Sequence, residues 1–372
     1  MNYNYFHLFK EDEQSNAGLL IYKEKFNKWS SELEKNGIVY NKYYNHFSAT
    51  ELTFNRFSAS SPALLNHSFE NVSLDEFLFT EDCFNGGLIY LNPEYKNTTA
   101  NSFGYDYSSF YPNILVGEEL KIPTKQGKTI KLESLNFENL KYGMYRVIIT
   151  CENEQFKRIF GFSRQNTYTH FSLEFANKYK NEFGVNIELK TDCEYNAIVY
   201  EKEDLVSSKD IFKNWFNKLY ALKSKCKDNQ LLKRLLSSLW GSLTKCEKYY
   251  FNDEQDEALD DDEAGQYVRV NETYYYHEGE IITRYECVKK TKPYKFHYGR
   301  IKAFLLSVSR NVVGELIMDN KLLENVVRIN TDGIVLNQEY DFSDLPYYPK
   351  PEDKTTGLIK WNNVNNYVKE LS

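Results

Sequence analysis

Between residues 211 and 239, apolar side chains recur at helical spacing. Phe212, Trp215, Phe216, Leu219 and Leu222 form one set, and Leu231, Leu232, Leu235, Leu236 and Leu239 form the next. The spacing predicts two amphipathic helices separated by the polar break at 224–229. Residues 303–316 predict another such helix, and residues 21–35 one more within a mixed N-terminal piece that runs into a loop at 58–62. Strands are expected where β-branched and aromatic residues alternate or cluster: from residue 86 to about 114, at 145–150, at 267–270 and at 280–283. In Val326-Val327-Arg328-Ile329-Asn330-Thr331-Asp332-Gly333-Ile334-Val335-Leu336, two β-branched runs flank an Asp-Gly pair. That is a strong local signal for a hairpin, and it puts a carboxylate at the tip. No internal repeat is visible.

Charge changes this picture more than composition does. The chain has 372 residues, enough for two or three substructures around a sizeable core. Its net charge is −7, which looks wrong for a partner of nucleic acid. The acids between Asp253 and Glu263 outweigh that whole excess, and such a run is expected to be a solvated loop. After it come Lys289, Lys290, Lys292, Lys295, Arg300 and Lys302, interleaved with Tyr294, Phe296 and Tyr298. That mixture suits contacts that track a nucleic-acid backbone. No apolar run is long enough for a membrane span, and the N-terminus lacks the basic and apolar regions of a signal peptide. The six cysteines form no Cys-x-x-Cys pair, and the six histidines show no metal-ligand spacing. Scattered thiols suit a reducing cytosol.

Candidate chemistry lies in three short stretches. The first reads Asp106-x-x-Ser109-x-Tyr111-Pro112, a strand end delivering a carboxylate, with the proline suited to a helix first turn. The second lies on the later predicted helix, where Lys233, Ser237 and Trp240 share one face. A lysine, a small polar residue and an aromatic on one face can grip triphosphate, sugar and base. The third is Asp332 at the hairpin. Beside Asp106, it would make a two-carboxylate site for a hard divalent cation such as Mg²⁺, which shares its shell with phosphates and water.

In this order the three stretches resemble the A, B and C motifs of family B DNA polymerases. Lys233-x-x-x-Ser237-Ser238-x-Trp240-Gly241 stands where the family has Lys-x-x-x-Asn-Ser-x-Tyr-Gly, and Asn330-Thr331-Asp332-Gly333 where it has Asp-Thr-Asp-Ser. The long gaps between motifs resemble the protein-primed branch, which carries two insertions about its fingers. Asn85-Gly86-Gly87 is similar to that branch's Tyr-x-Gly-Gly element, and Gly357-Leu358-Ile359-Lys360-Trp361 to its Gly-x-x-Trp stretch. The resemblance covers roughly residues 85 to 361.

The resemblance implies an α+β fold: a polymerase palm with an antiparallel sheet, short helical fingers and two insertions. The expected divisions are an N-terminal region (1–85), a first palm segment (86–150), a first insertion (151–207), fingers (208–241), a second insertion (242–290) and a second palm segment (291–372). The implied activity is template-directed DNA synthesis by two-metal nucleotidyl transfer, with Mg²⁺ as cofactor and Mn²⁺ able to substitute. Asp106, the main-chain carbonyl of Tyr107 and Asp332 are the expected metal ligands. Lys233 is the expected catalytic cation, with Lys223 as a second phosphate contact. Ser109, Phe110, Tyr111, Ser237 and Trp240 are expected around the nucleotide, with Tyr111 rejecting a 2′-hydroxyl. Gly86, Gly87, Gly241, Arg310 and Lys360 are expected along DNA. The implied partners are template and primer DNA, deoxynucleotide triphosphates, a terminal (priming) protein, and a separate chain supplying thumb or exonuclease. The short region before Gly86 leads us to expect no proofreading domain. The expected setting is the cytoplasm of a cell replicating a viral, phage or plasmid genome. The alternative is a non-catalytic or split subunit that keeps the palm and serves as a DNA-binding scaffold.

Overall fold

A computed structural model describes residues 46–58, 68–83, 86–225, 230–252, 264–277 and 280–370, with Ser31, Glu34 and Lys35 besides. The predicted helix over 21–35 falls largely outside the described residues. So do the acidic run 253–263, Asn85 and most of the loop at 58–62. No helix among the described residues is long and apolar enough to cross a membrane.

In chain order the helices are α1 (His46–Ser58), α2 (Leu74–Asp82), α3 (Phe110–Leu115), α4 (Glu154–Ile159), α5 (His170–Lys178), α6 (Lys180–Phe183), α7 (Ser208–Lys225), α8 (Gln230–Leu243) and α9 (Ile301–Asp319). The strands up to the second predicted insertion are β1 (Ile89–Leu91), β2 (Thr99–Asp106), β3 (Lys121–Pro123), β4 (Lys128–Ile130), β5 (Gly143–Thr150), β6 (Thr167–Thr169), β7 (Asn186–Leu189), β8 (Ala197–Val199) and β9 (Leu205–Ser207). Then follow β10 (Lys248–Asn252), β11 (Tyr267–His277), β12 (Glu280–Lys289), β13 (Val326–Asn330), β14 (Gly333–Leu336), β15 (Lys350–Pro351), β16 (Gly357–Trp361) and β17 (Tyr367–Lys369). The fold is mixed helix and antiparallel sheet, as the α+β reading expects. The chain forms two compact units, each discontinuous in sequence. One comprises residues 1–74, 111–125 and 205–301, and the other 75–110, 126–204 and 302–372.

The second of these units holds a sheet in the order β1-β13-β14-β2-β16-β17, with β15 also paired to β2. Its apolar strands bury one face around Val327, Val335, Ile359 and Trp361. Trp361 is fully buried yet keeps its indole N–H satisfied, donating 3.1 Å to Ser102 Oγ on β2. Gly104, also on β2, has no side chain because Thr355 occupies that space: a Cβ there would overlap Thr355 Oγ1. A separate sheet, β4-β8-β5-β6 with β7 on β5, spans residues 128–199. It begins with the short strand β4, well ahead of residue 151. Phe156, Phe160, Phe175 and Phe183 pack beside it as one aromatic group, with ring centroids 5.0–6.5 Å apart.

In the other unit α1, α7 and α8 pack together, and Phe54 meets Phe212 at 5.2 Å. The apolar stripes read from the sequence are the buried ones: Ile211, Phe212, Trp215 and Leu219 on α7, and Leu235, Leu236 and Leu239 on α8. The three-stranded sheet β10-β12-β11 contains both strands predicted between 267 and 283.

Two expectations need correction. The hairpin forms, but Asn330 pairs directly with Gly333, so the loop is Thr331–Asp332 and not Asp332–Gly333. Thr331 takes the positive φ (62°) and Gly333 does not, the pattern of a type II′ turn. The predicted basic surface also shrinks. Arg300 is buried and donates at 2.8 Å to the carbonyls of Glu70 and Asn71, while Lys302 pairs with Glu81 at 2.7 Å. Lys290, Lys292 and Lys295 stay exposed.

Candidate active site

Asp106 ends β2, and its register partner on β14 is Gly333, the residue after Asp332. The backbone N–H of Tyr107 donates to the Asp332 carbonyl at 3.1 Å. A Cβ built on Gly333 would lie 3.6 Å from Asp106 Oδ1, so the Asp106 carboxylate lies against the segment that carries Asp332. Two acids separated by most of the chain thus come to one end of the sheet, Asp106 closing β2 and Asp332 in the hairpin loop that leads into the neighbouring β14. The sequence predicted this pairing.

Both carboxyls are harder to ionise than usual. Burial is the largest cause for Asp106, followed by the charges of Asp332 and Glu352, and together they push it up to about 7 against the pull of Lys354 and Arg328. Asp332 is also raised, first by burial and then by Glu352, with a backbone N–H opposing. Glu352 therefore acts on both aspartates, yet nothing in the sequence singled it out. It follows β15, whose Lys350 pairs with Asp106, and its N–H donates to the Gly104 carbonyl at 2.8 Å. The Thr355 hydroxyl, seated in the space that Gly104 leaves, donates to Glu352 Oε2 at 3.0 Å.

An all-oxygen pair of carboxylates with raised pKa is what a hard divalent cation stabilises. Among the described residues no group of three or more His, Cys, Asp or Glu side chains forms a complete protein cage for a metal.

Past Asp106 the chain turns sharply. Ser109 adopts a positive φ of 53°. The Tyr107 ring is buried between Phe110 (5.0 Å) and Tyr347 (4.9 Å), and the Tyr347 hydroxyl donates to the Ser108 carbonyl at 3.3 Å. One expected contact changes here. Only 3% of Phe110 is exposed, so its ring is part of this stack and offers no surface to a nucleotide.

The remaining nucleotide candidates belong to the other compact unit. Lys233 and Ser237 are exposed on α8, and Trp240 is half-buried on the same face. Trp240 meets Tyr111 with ring centroids 5.2 Å apart. The pKa of Lys223 on α7 is lowered, first by burial and then by the like charge of Lys233, so the two ammonium groups sense each other. Gly241 faces open space: a Cβ there would meet nothing within 4 Å.

Of the expected DNA contacts, Gly86 and Gly87 lead into β1, and Lys360 is exposed on β16. Arg310 is placed differently. It is buried on α9 and donates 2.7 Å to the Gly86 carbonyl, so its guanidinium is committed to the Gly-Gly segment instead of an open surface. Asn330 sits at the hairpin end, with its amide donating to Asn365 Oδ1 at 3.3 Å.

No protein-family model and no curated protein matches the sequence. Solved structures do match in fold. Phi29 DNA polymerase complexed with primer-template DNA and incoming nucleotide substrates aligns over 87% of this chain and 55% of its own, with a TM-score of 0.59 and 15% identity. The same polymerase complexed with single-stranded DNA gives a TM-score of 0.60 at 14% identity, over 87% and 54%. Its post-translocation binary complex with primer-template DNA gives 0.58 at 15%, over 87% and 54%. The fold is similar to that of phi29 polymerase, and this chain spans about half of that protein's length.

Proposed function

We propose that the chain is a DNA-directed nucleotidyltransferase of the family B, protein-primed type. The observation that carries this reading is that Asp106, at the end of β2, lies beside the hairpin loop bearing Asp332, within a fold similar to that of a DNA polymerase. The reaction joins a primer hydroxyl to the α-phosphorus of a deoxynucleotide triphosphate and breaks the α–β anhydride, so that pyrophosphate leaves.

Asp106, Asp332 and the Tyr107 carbonyl would hold Mg²⁺. Such ions, when bound, acidify an attacking hydroxyl and offset charge on the leaving phosphates. The protein's own contribution is to keep the two carboxylates close and partly dehydrated, in readiness for a cation. Lys233 and Lys223 supply cationic charge suited to a triphosphate. Tyr111 packed on Trp240 is a rigid aromatic wall suited to reading a sugar. The exposed lysines Lys290, Lys292 and Lys295 suit a nucleic-acid backbone. The sheet over 128–199 lies between the first two motifs in sequence, where the protein-primed branch carries an insertion, which supports a priming protein as partner.

Primer extension by the purified chain with Mg²⁺ or Mn²⁺ is the test. Asp106→Asn and Asp332→Asn should each lower the rate by on the order of 100-fold or more while the protein stays folded. No extension by the unmodified chain, with DNA binding intact, would instead favour a scaffold or one subunit of a split enzyme.

A further inference from the structure

We infer that Arg310 is a positioning residue for Asp332, acting through the Gly86–Gly87 segment. The purpose assigned to this arrangement rests on the proposed function, but the mechanical link does not. Arg310 is only 5% exposed. One arm of its guanidinium donates 2.7 Å to the Gly86 carbonyl, and the other donates 3.1 Å to Ser307 Oγ, one turn back on α9. Ser307 is itself fixed, donating 2.8 Å to the Ala303 carbonyl. The planar fork thus ties the Gly-Gly segment to a buried helix.

The link continues from Gly86 to the hairpin. A Cβ on Gly87 would lie 2.5 Å from Thr331 Oγ1 and 2.9 Å from Thr331 Cα, so the Gly87 backbone presses directly on the loop. The carbonyl of the next residue, Leu88, accepts the Thr331 N–H at 2.8 Å. Thr331 is the strained position of the turn, a β-branched residue at φ 62°. Asp332 follows it. A β-branched residue in the left-handed region persists only when its surroundings over-determine it. Here Gly87 and Leu88 brace it from one side, and the Tyr107 N–H holds the Asp332 carbonyl from the other. Burying a guanidinium is costly unless its donors are used, and a lysine could not reproduce the two-armed grip.

Hydrogen exchange tests the link on the free protein, without metal or DNA. In Arg310→Met the amides of residues 330–333 should exchange about tenfold faster, while β5 and α7 keep their protection. Gly87→Ala should raise exchange in the same segment, and the double variant should add little to either. Equal exchange at 330–333 in wild type and Arg310→Met would overturn the inference. If Arg310→Met loosens the whole protein, Arg310→Lys is read at the same segment: a local rise supports the link, and unchanged protection overturns it.

A second arm reads activity. The Mg²⁺ concentration for half-maximal extension by Arg310→Lys should rise about tenfold, with affinity for primer-template DNA unchanged. Weaker DNA binding at an unchanged Mg²⁺ requirement would make Arg310 a DNA contact and overturn the inference. If the wild type extends no primer, the proposed function fails, and the exchange arm still decides the link.

Discussion

The ring of Tyr111 lies 5.2 Å from that of Trp240, tilted by 46°, although the two come from stretches of chain far apart in sequence. The contact gives each ring a fixed neighbour. A wall that is to reject one hydroxyl group must not swing away, and an aromatic partner supplies that stiffness.

Tyr111→Val should therefore raise ribonucleotide incorporation relative to deoxynucleotide incorporation, by roughly 10- to 100-fold. Trp240→Ala should relax the same ratio to a smaller extent, because it removes one contact that steadies the Tyr111 ring. The double variant should fall short of the product of the two effects. Single-turnover competition between the two sugars measures all three ratios. An unchanged ratio in Tyr111→Val would place sugar selection elsewhere.

The raised pKa of Asp106 has a consequence for stability. Its ordinary value is 3.8 and its folded value is about 7. The folded state thus holds the proton more tightly than the unfolded chain does. Stability contributed by this group is full below pH 3.8 and is lost as pH rises towards about 7. Thermal unfolding of metal-free protein should show this decline, and Asp106→Asn should lack most of it. Mg²⁺ should raise the midpoint most above pH 7, where Asp106 has given up its proton and can attract the cation. Equal stabilisation by Mg²⁺ at pH 5 and pH 8 would count against the pair as its binding site.

Glu352→Gln should move the acidic limb of the pH–rate profile to lower pH. Its negative charge raises both aspartates, so removing it lets Asp106 ionise more readily. The Mg²⁺ requirement should rise at the same time, because one attracting charge is gone. A profile that stays in place would limit Glu352 to its bond with Thr355.

Asn330→Asp tests the departure in the third motif. The Asn330 amide donates to Asn365, and a carboxylate could accept from the same side chain once its amide turns over. The variant should need less Mg²⁺ for half-maximal extension, by no more than about 10- to 100-fold. A Mg²⁺ titration of both forms decides it, and an equal or higher requirement would mean that the site is adapted to its lower charge.

Much of this was legible in the sequence wherever the signal was local. The stripes of α7 and α8 are periodic over several turns, so their buried faces could be named in advance. The hairpin was visible in its β-branched runs, but its turn was displaced by one residue. Asp-Gly favours a turn by offering glycine the left-handed position, whereas contacts from Gly87 and Leu88 put Thr331 there instead. Glu352 was hidden because β15 is two residues long and is defined only by its partner β2. The basic residues misled in another way. Arg300 and Arg310 have the composition of a nucleic-acid surface, but both guanidiniums are used on backbone carbonyls inside the protein. Charge alone does not say which side of the surface a residue occupies.

Because β2 pairs with β14 and β16, the middle of its sheet is assembled from segments far apart in the polypeptide. During synthesis β2 leaves the ribosome roughly 230 residues before β14, a wait on the order of ten seconds or more at ordinary elongation rates. The strands over 128–199 have their partners nearby and can zip while β2 still shows two open edges. The newborn chain thus passes through a period in which the strand bearing Asp106 presents two unpaired edges, each able to pair with another chain. Expression of this protein should accordingly respond to slower translation and to chaperones that shield unpaired strands.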